Sequence, residues 1–193
     1  PTVYADDPHS MTIVKESVEI DYGNKITISL TLKPEIDSVE SVRALFKPRG
    51  GSTVWSYSYP EFSTNTMEIS LKVEIPTGLG SYYPPGTEFD LEIEIVDAEG
   101  DISRTRSNNS IQYLDPSKNW KDAKGNGFSI LYYGIQTSKV ENLITQVNAR
   151  IPTIKKVVGV NSTPEFKAVV FPSVEEATPS FPPISQTATD QLF

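Results

Sequence analysis

Between Met11 and Asp115 apolar and polar residues alternate with period two, and turn residues interrupt the alternation roughly every 8 to 12 positions, as in a series of half-buried antiparallel strands. The clearest runs set Ile26, Ile28, Leu30 and Leu32 against Thr27, Ser29, Thr31 and Lys33, and Met67, Ile69, Leu71, Val73 and Ile75 against Glu68, Ser70, Lys72 and Glu74. Pro34 and Pro76 stop them, because proline cannot donate to a strand ladder. An opening strand carries Ile13, Val18 and Ile20 and ends at Asp21-Tyr22-Gly23-Asn24. Val39 to Phe46 gives another, closed by the turn Lys47-Pro48-Arg49-Gly50-Gly51, and Val54, Trp55, Tyr57 and Tyr59 give an aromatic one.

The turn Tyr83-Pro84-Pro85-Gly86-Thr87 launches Phe89, Leu91, Ile93 and Ile95 against Glu88, Asp90, Glu92 and Glu94, a ladder of carboxylates on the outer face. Asp97-Ala98-Glu99-Gly100-Asp101 is a hairpin turn, after which Ile102 to Arg106 returns with Arg104 and Arg106 as cross-strand partners for the acids. Ser110 to Leu114 closes the set. With no helical window between them, these strands predict a mainly β fold, an immunoglobulin- or fibronectin-like antiparallel β-sandwich over residues 10–115, preceded by a flexible arm at 1–9.

After Asp115-Pro116 the pattern changes. Ser117 to Gly127 is polar, and Phe128 to Tyr133 reads as a strand. Ser138-Lys139-Val140-Glu141 has the form of a capping box ahead of Val140, Leu143, Ile144, Val147 and Ile151, which draw one helix stripe. Pro152 is expected to kink or interrupt this helix, and Gly159 to end its continuation. Phe166 to Phe171 is the next strand, so residues 116–171 form a small β-α-β (α+β) segment, too short for a self-sufficient core. Residues 172–193 are a tail or linker rich in Pro, Ser and Thr.

At 193 residues, 37% hydrophobic and 22% charged, the chain has the composition of a folded protein of one or two domains. No apolar run of about 18 residues occurs, so no transmembrane helix is expected, and Pro1 to Asp7 lacks the features of a signal peptide and reads as a mature end left by processing. Residues 1–115 carry 9 Lys and Arg against 19 Asp and Glu, which disfavours nucleic acid as a partner.

Cysteine is absent and His9 is the single histidine, which removes thiolate chemistry and every two-histidine metal site. Glu88, Asp90, Glu92 and Glu94 have the spacing for a paired acid and base, although a solvated face neutralised by Arg104, Arg106 or Lys72 accounts for them better. Asp97, Glu99 and Asp101 are a weak calcium candidate, with a plain hairpin turn as the alternative. No other metal or cofactor is expected. Tyr22, Trp55, Tyr57, Tyr59, Tyr82 and Tyr83 either form a ligand-binding aromatic surface or cover the edge of the core. Asn108-Asn109-Ser110 and Asn161-Ser162-Thr163 match the glycosylation pattern.

From Tyr83-Pro84-Pro85-Gly86-Thr87-Glu88-Phe89 and Glu92 to Gly100, through Trp120, Phe128 to Tyr133, Val157-Val158-Gly159-Val160 and Phe166 to Ser173, the chain resembles bacterial secreted peptidase-MA-like metallohydrolases of gluzincin type. The resemblance implies an Ig-like domain ahead of a peptidase-like domain, export, and an extracytoplasmic or cell-surface setting. The family's His-Glu-x-x-His helix has no counterpart in these residues, so no catalytic residue carries over. Three readings follow. The first is a non-catalytic structural or interaction module whose partners are other protein subunits, its own copies included, met through sandwich surfaces, strand edges or the arm from Thr2 to Val14. The second is the N-terminal part of a secreted zinc-metallopeptidase-like protein. The third is a glycan- or calcium-binding surface domain.

Overall fold

The computed structural model describes residues 11–34, 39–50, 54–65, 68–78, 80–107, 109–161 and 165–181. The expected arm at 1–9 with His9, Asn108 and Ser162-Thr163 of the two glycosylation patterns, and residues 182–193 lie outside them. The chain divides into two compact units, one of residues 1–83 and 87–113, the other of 84–86 and 114–193.

The first unit is an antiparallel β-sandwich. One sheet is built from β1 (Met11–Asp21), β2 (Lys25–Pro34), β6 (Glu68–Pro76) and β5 (Phe62–Asn65), in the order β1-β2-β6-β5. The other has β4 (Ser56–Ser58), β3 (Ser41–Pro48), β7 (Glu88–Val96) and β8 (Ile102–Arg106), in the order β4-β3-β7-β8, with β9 (Ile111–Gln112) also on β7. Lettered in chain order, the two sheets have the strand orders ABED and C′CFG. Alternation dictates which side chains enter the core: β6 is exposed and buried at successive positions from Glu68 to Pro76. Ile26, Ile28, Leu32, Val73 and Ile75 from one sheet and Ala44, Phe89, Ile93 and Ile95 from the other are fully buried in one cluster. Burial of each large aliphatic side chain contributes about 1.5–3 kcal/mol, and this core does so with no cysteine to staple the sheets.

Tyr113 ties the first hairpin to the end of the unit. Its ring stacks on Tyr22 with centroids 4.9 Å apart, and its hydroxyl accepts the Gly23 N–H at 2.9 Å. Gly23 has φ 81°, a backbone conformation that a side chain would strain. On β1 a register shift between Ile13 and Lys15 makes a bulge at Val14, and Glu16, paired with Leu30, is on the core-facing row of this edge strand. Ser107 Oγ donates to Glu16 Oε1 at 2.7 Å.

Two features of this unit depart from the sequence expectation. The aromatic strand is only three residues long, and β5 was not expected because Phe62-Ser63-Thr64-Asn65 has a single apolar residue. The stretch from Met11 to Val14, expected to belong to an arm free for exchange, is already within β1, with Met11 opposite Pro34.

The second unit contains a three-stranded sheet, β10 (Lys121–Lys124), β11 (Phe128–Tyr132) and β12 (Phe166–Val170), in the order β10-β11-β12. β10 is antiparallel to β11, and β11 is parallel to β12 through the crossover helix α1 (Thr137–Val158). Phe128, Ile130, Tyr132 and Val140 form the buried centre, against which Ile144, Val147 and Ile151 pack. Leu143 of the expected stripe stays partly in water at 37% exposure.

α1 corrects two expectations. It starts one residue before Ser138, its N-cap Gln136 makes no side-chain cap bond, and Ser138 is therefore inside the first turn rather than capping it. It also runs without interruption through Pro152, which is exposed, so of the expected kink or interruption the interruption does not occur. Gly159 ends the helix as expected, at φ 75° with its N–H on Lys155 O at 2.9 Å. β10 was missed because Lys121-Asp122-Ala123-Lys124 turns only Ala123 toward the core. The expected tail opens instead with α2 (Val174–Ala177), capped by Ser173, and a 3-10 turn at Thr178–Ser180.

Candidate functional site

The carboxylate ladder of β7 is built by register. β3, β7 and β8 place Arg43, Glu94 and Arg104 in one cross-strand row, and Leu45, Glu92 and Arg106 in the next but one position. Glu94, 3% exposed, is held by Arg43 Nη2 at 2.5 Å and Arg104 Nη2 at 2.7 Å. Glu92 meets Arg106 Nε at 2.8 Å. Arg49 takes the far end, with Nη1 3.2 Å from Glu88 and Nη2 2.9 Å from Asp90. The hydrogen bond to Asp90 is the main reason the Arg49 guanidinium is pushed above its ordinary value. Arg104 and Arg106 thus stand where the alternation placed them, whereas Arg43 and Arg49 come from a strand and a turn that sequence spacing does not link to β7. Each of the four carboxylates has an arginine partner, which makes the face a charge-matched surface.

In the hairpin, Asp97 is 5% exposed, and its Oδ1 accepts the N–H groups of Glu99 at 3.0 Å and Asp101 at 2.8 Å. Glu99 and Asp101 are exposed. Among the described residues no group of three or more His, Cys, Asp or Glu is arranged to hold a metal ion.

The six aromatic residues do not form one surface. Tyr22 and Tyr83 pack on the core, the latter edge-on to Phe89 at 4.8 Å. Tyr82 is partly desolvated, which raises its phenol above the ordinary value. Trp55, Tyr57 and Tyr59 are together on and beside β4: Lys47 Nζ sits 4.8 Å over the Trp55 ring, and Tyr57 and Tyr59 meet edge to face at 5.9 Å. Tyr57 and Tyr59 are 63% and 66% exposed, and Val54 beside them is 72% exposed.

The second unit has a polar link with no signature in the sequence. Glu176 Oε2 accepts from Lys118 Nζ at 2.9 Å and from the Tyr133 hydroxyl at 2.8 Å, while Trp120 packs edge-on to Tyr133 at 4.6 Å and donates to Asp115 O. The Lys118 bond, then that from Tyr133, holds the Glu176 carboxyl below the usual carboxylate range. Near Phe128 to Tyr133 only spatial proximity brings these residues together.

Among the described residues no helix is long and apolar enough to cross a membrane. No protein-family model matches the sequence, and no curated protein matches it. Two solved structures are similar to part of the chain. Wild-type OgpA from Akkermansia muciniphila aligns over 57% of this chain and 29% of its own, with TM-score 0.41 and 9% identity. The catalytically inactive OgpA, in complex with an O-glycopeptide (glycodrosocin) substrate, aligns over 58% and 32%, with TM-score 0.38 and 11% identity. The alignments therefore span less than a third of each OgpA chain.

Proposed function

We propose that this chain is a non-catalytic interaction module that meets other protein subunits, its own copies first, through the β4 edge of the sandwich. The observation that carries the reading is the exposure of Tyr57 on the three-residue β4 at the rim of its sheet, with Val54 and Tyr59 exposed on either side of the strand. Unpaired strand groups beside large exposed side chains are a ready surface for strand addition, and edges not used in this way are normally blunted by charge, proline or a bulge. The extracytoplasmic setting belongs to the same reading and is supported by the family resemblance. Sedimentation velocity on the 193-residue chain tests it: wild type is expected to self-associate with rising concentration, and Tyr57→Lys to reduce this at least tenfold. A strictly monomeric wild type at millimolar concentration removes the reading.

A second reading is favoured by the β11-α1-β12 crossover, which lies at the residues on which the family resemblance rests. In it the chain is the leading part of a peptidase-like protein. The intact mass of the native polypeptide, with a His-Glu-x-x-His helix in its remaining sequence, is the outcome that supports it.

A further inference from the structure

The outer face of the β1-β2-β6-β5 sheet carries a groove of about 840 Å³. Strand register lays its floor: Ser17, Ser29 and Lys72 stand in one cross-strand row, and Lys15, Thr31 and Ser70 in another. The end of β4 and the segment that joins it to β5 also line it, contributing Ser58, whose Oγ is buried without a hydrogen-bond partner, and the exposed Tyr59.

Serine and threonine hydroxyls both donate and accept, so a floor made of them matches a ligand that is itself a row of hydroxyls. The groove is open to solvent along its floor and has room for a short oligosaccharide lying on the sheet. Tyr59 offers a flat apolar face beside a polar tip, the surface against which a sugar ring packs.

Charge narrows the class. Residues 1–115 are strongly acidic, yet within the groove Lys15 and Lys72 have no ion-pair partner among the described residues, and Glu74 is neutralised by Lys25 at 2.5 Å. Two strands and two residues separate the lysines, about 12 Å between Cα atoms. Only Glu61 of the lining is left to oppose them.

We propose that this groove binds an oligosaccharide that bears a carboxylate. Its ring hydroxyls lie on Ser17, Ser29, Thr31 and Ser70, one ring packs on Tyr59, and Lys15 and Lys72 receive the carboxylate end. The floor of the groove is on the sheet opposite to β4, but Ser58 and Tyr59 at the end of β4 also line it, so the lysine variants, and not Tyr59→Ala, separate this proposal from the edge pairing.

The test is an NMR titration of the 193-residue chain with 3′-sialyllactose and trigalacturonate as acidic sugars, lactose as a neutral sugar, and acetate as a carboxylate without a sugar. At least one acidic sugar is expected to shift the amides of β1, β2 and β6 and to bind tenfold more tightly than lactose or acetate. Lys15→Ala/Lys72→Ala is expected to weaken it at least tenfold, and Tyr59→Ala severalfold, with melting temperatures unchanged; Lys72→Gln alone serves if the double variant unfolds. Equal binding of lactose or acetate, no shift with either acidic sugar, or full affinity in the lysine variants overturns the proposal.

Discussion

Arg104 Nη2 lies 2.7 Å from Glu94 Oε2 in a directly opposed cross-strand pair, and Arg43 grips the other oxygen of the same buried carboxylate at 2.5 Å. The two arginines are not equivalent, since Arg104 is 52% exposed and Arg43 33%. Glu94→Ala leaves both guanidinium groups crowded and unpaired, and is expected to destabilise by about 1–3 kcal/mol, less than a fully buried pair because both arginines reach water. Arg104→Ala leaves Arg43 in place and is expected to cost about 0.2–1 kcal/mol. Urea midpoints at constant slope check this, and equal losses from Glu94→Ala and Arg104→Ala would show that Arg43 alone does not hold the carboxylate.

Tyr113→Phe keeps the stack on Tyr22 and removes only the acceptor for Gly23 N–H. A loss of about 1 kcal/mol is expected, with the first hairpin exchanging its amide protons faster. Unchanged exchange at Gly23 to Lys25 would show that the phenol does not pin the turn.

Asp97→Ala is expected to cost about 1–3 kcal/mol in calcium-free buffer, because the carboxylate serves two backbone N–H groups of its own turn. If Asp97, Glu99 and Asp101 bind calcium as well, wild type also gains melting temperature across a calcium titration and the variant does not. A variant as stable as wild type without calcium contradicts the structural role.

A Cβ on Gly125 would fall 2.2 Å from the Phe128 ring, which is itself stacked on Phe166 at 5.1 Å. Gly125→Ala is therefore expected to cost the second unit about 1–3 kcal/mol. Hydrogen exchange should quicken in β10 and β11 while β2 and β7 keep their protection; uniform loss across both units contradicts the assignment.

Glu176 governs an acid-sensitive contact. Its folded pKa lies below its unfolded value, so the stabilisation is complete above the unfolded value and is lost as pH falls through the folded one. Trp120 fluorescence should report the change through its contact with Tyr133, and Glu176→Gln should flatten that acid limb. A wild-type acid limb retained in the variant assigns the transition to another group.

Much of the sandwich was legible because β2, β6 and β7 combine strict alternation with clean stops, so register and face follow from one another. Short edges were not: β5 and β10 gain their order from a neighbour's unpaired groups rather than from their own apolar residues. Pro152 does not end α1, since the helix continues on both sides of it with Ile144, Val147 and Ile151 packed on the sheet. The acidic ladder announced itself and two of its arginines followed from the hairpin. Arg43 and Arg49 did not, since pairing of β3 with β7 joins segments more than 40 residues apart. The groove floor was present as the polar half of each strand, but only the stacking order of strands turns scattered serines into one surface.

The bulge at Val14 and the inward Glu16 leave β1 badly shaped for accepting a neighbour, whereas β4 has neither a bulge nor an inward charge and is limited by its length of three residues. If β4 pairs with β4 of a second copy, the contact is isologous, around a twofold axis, and each copy spends that edge in a single contact. Assembly by this route would end in closed pairs, with Tyr59 of each copy between the contact and the hydroxyl-lined groove.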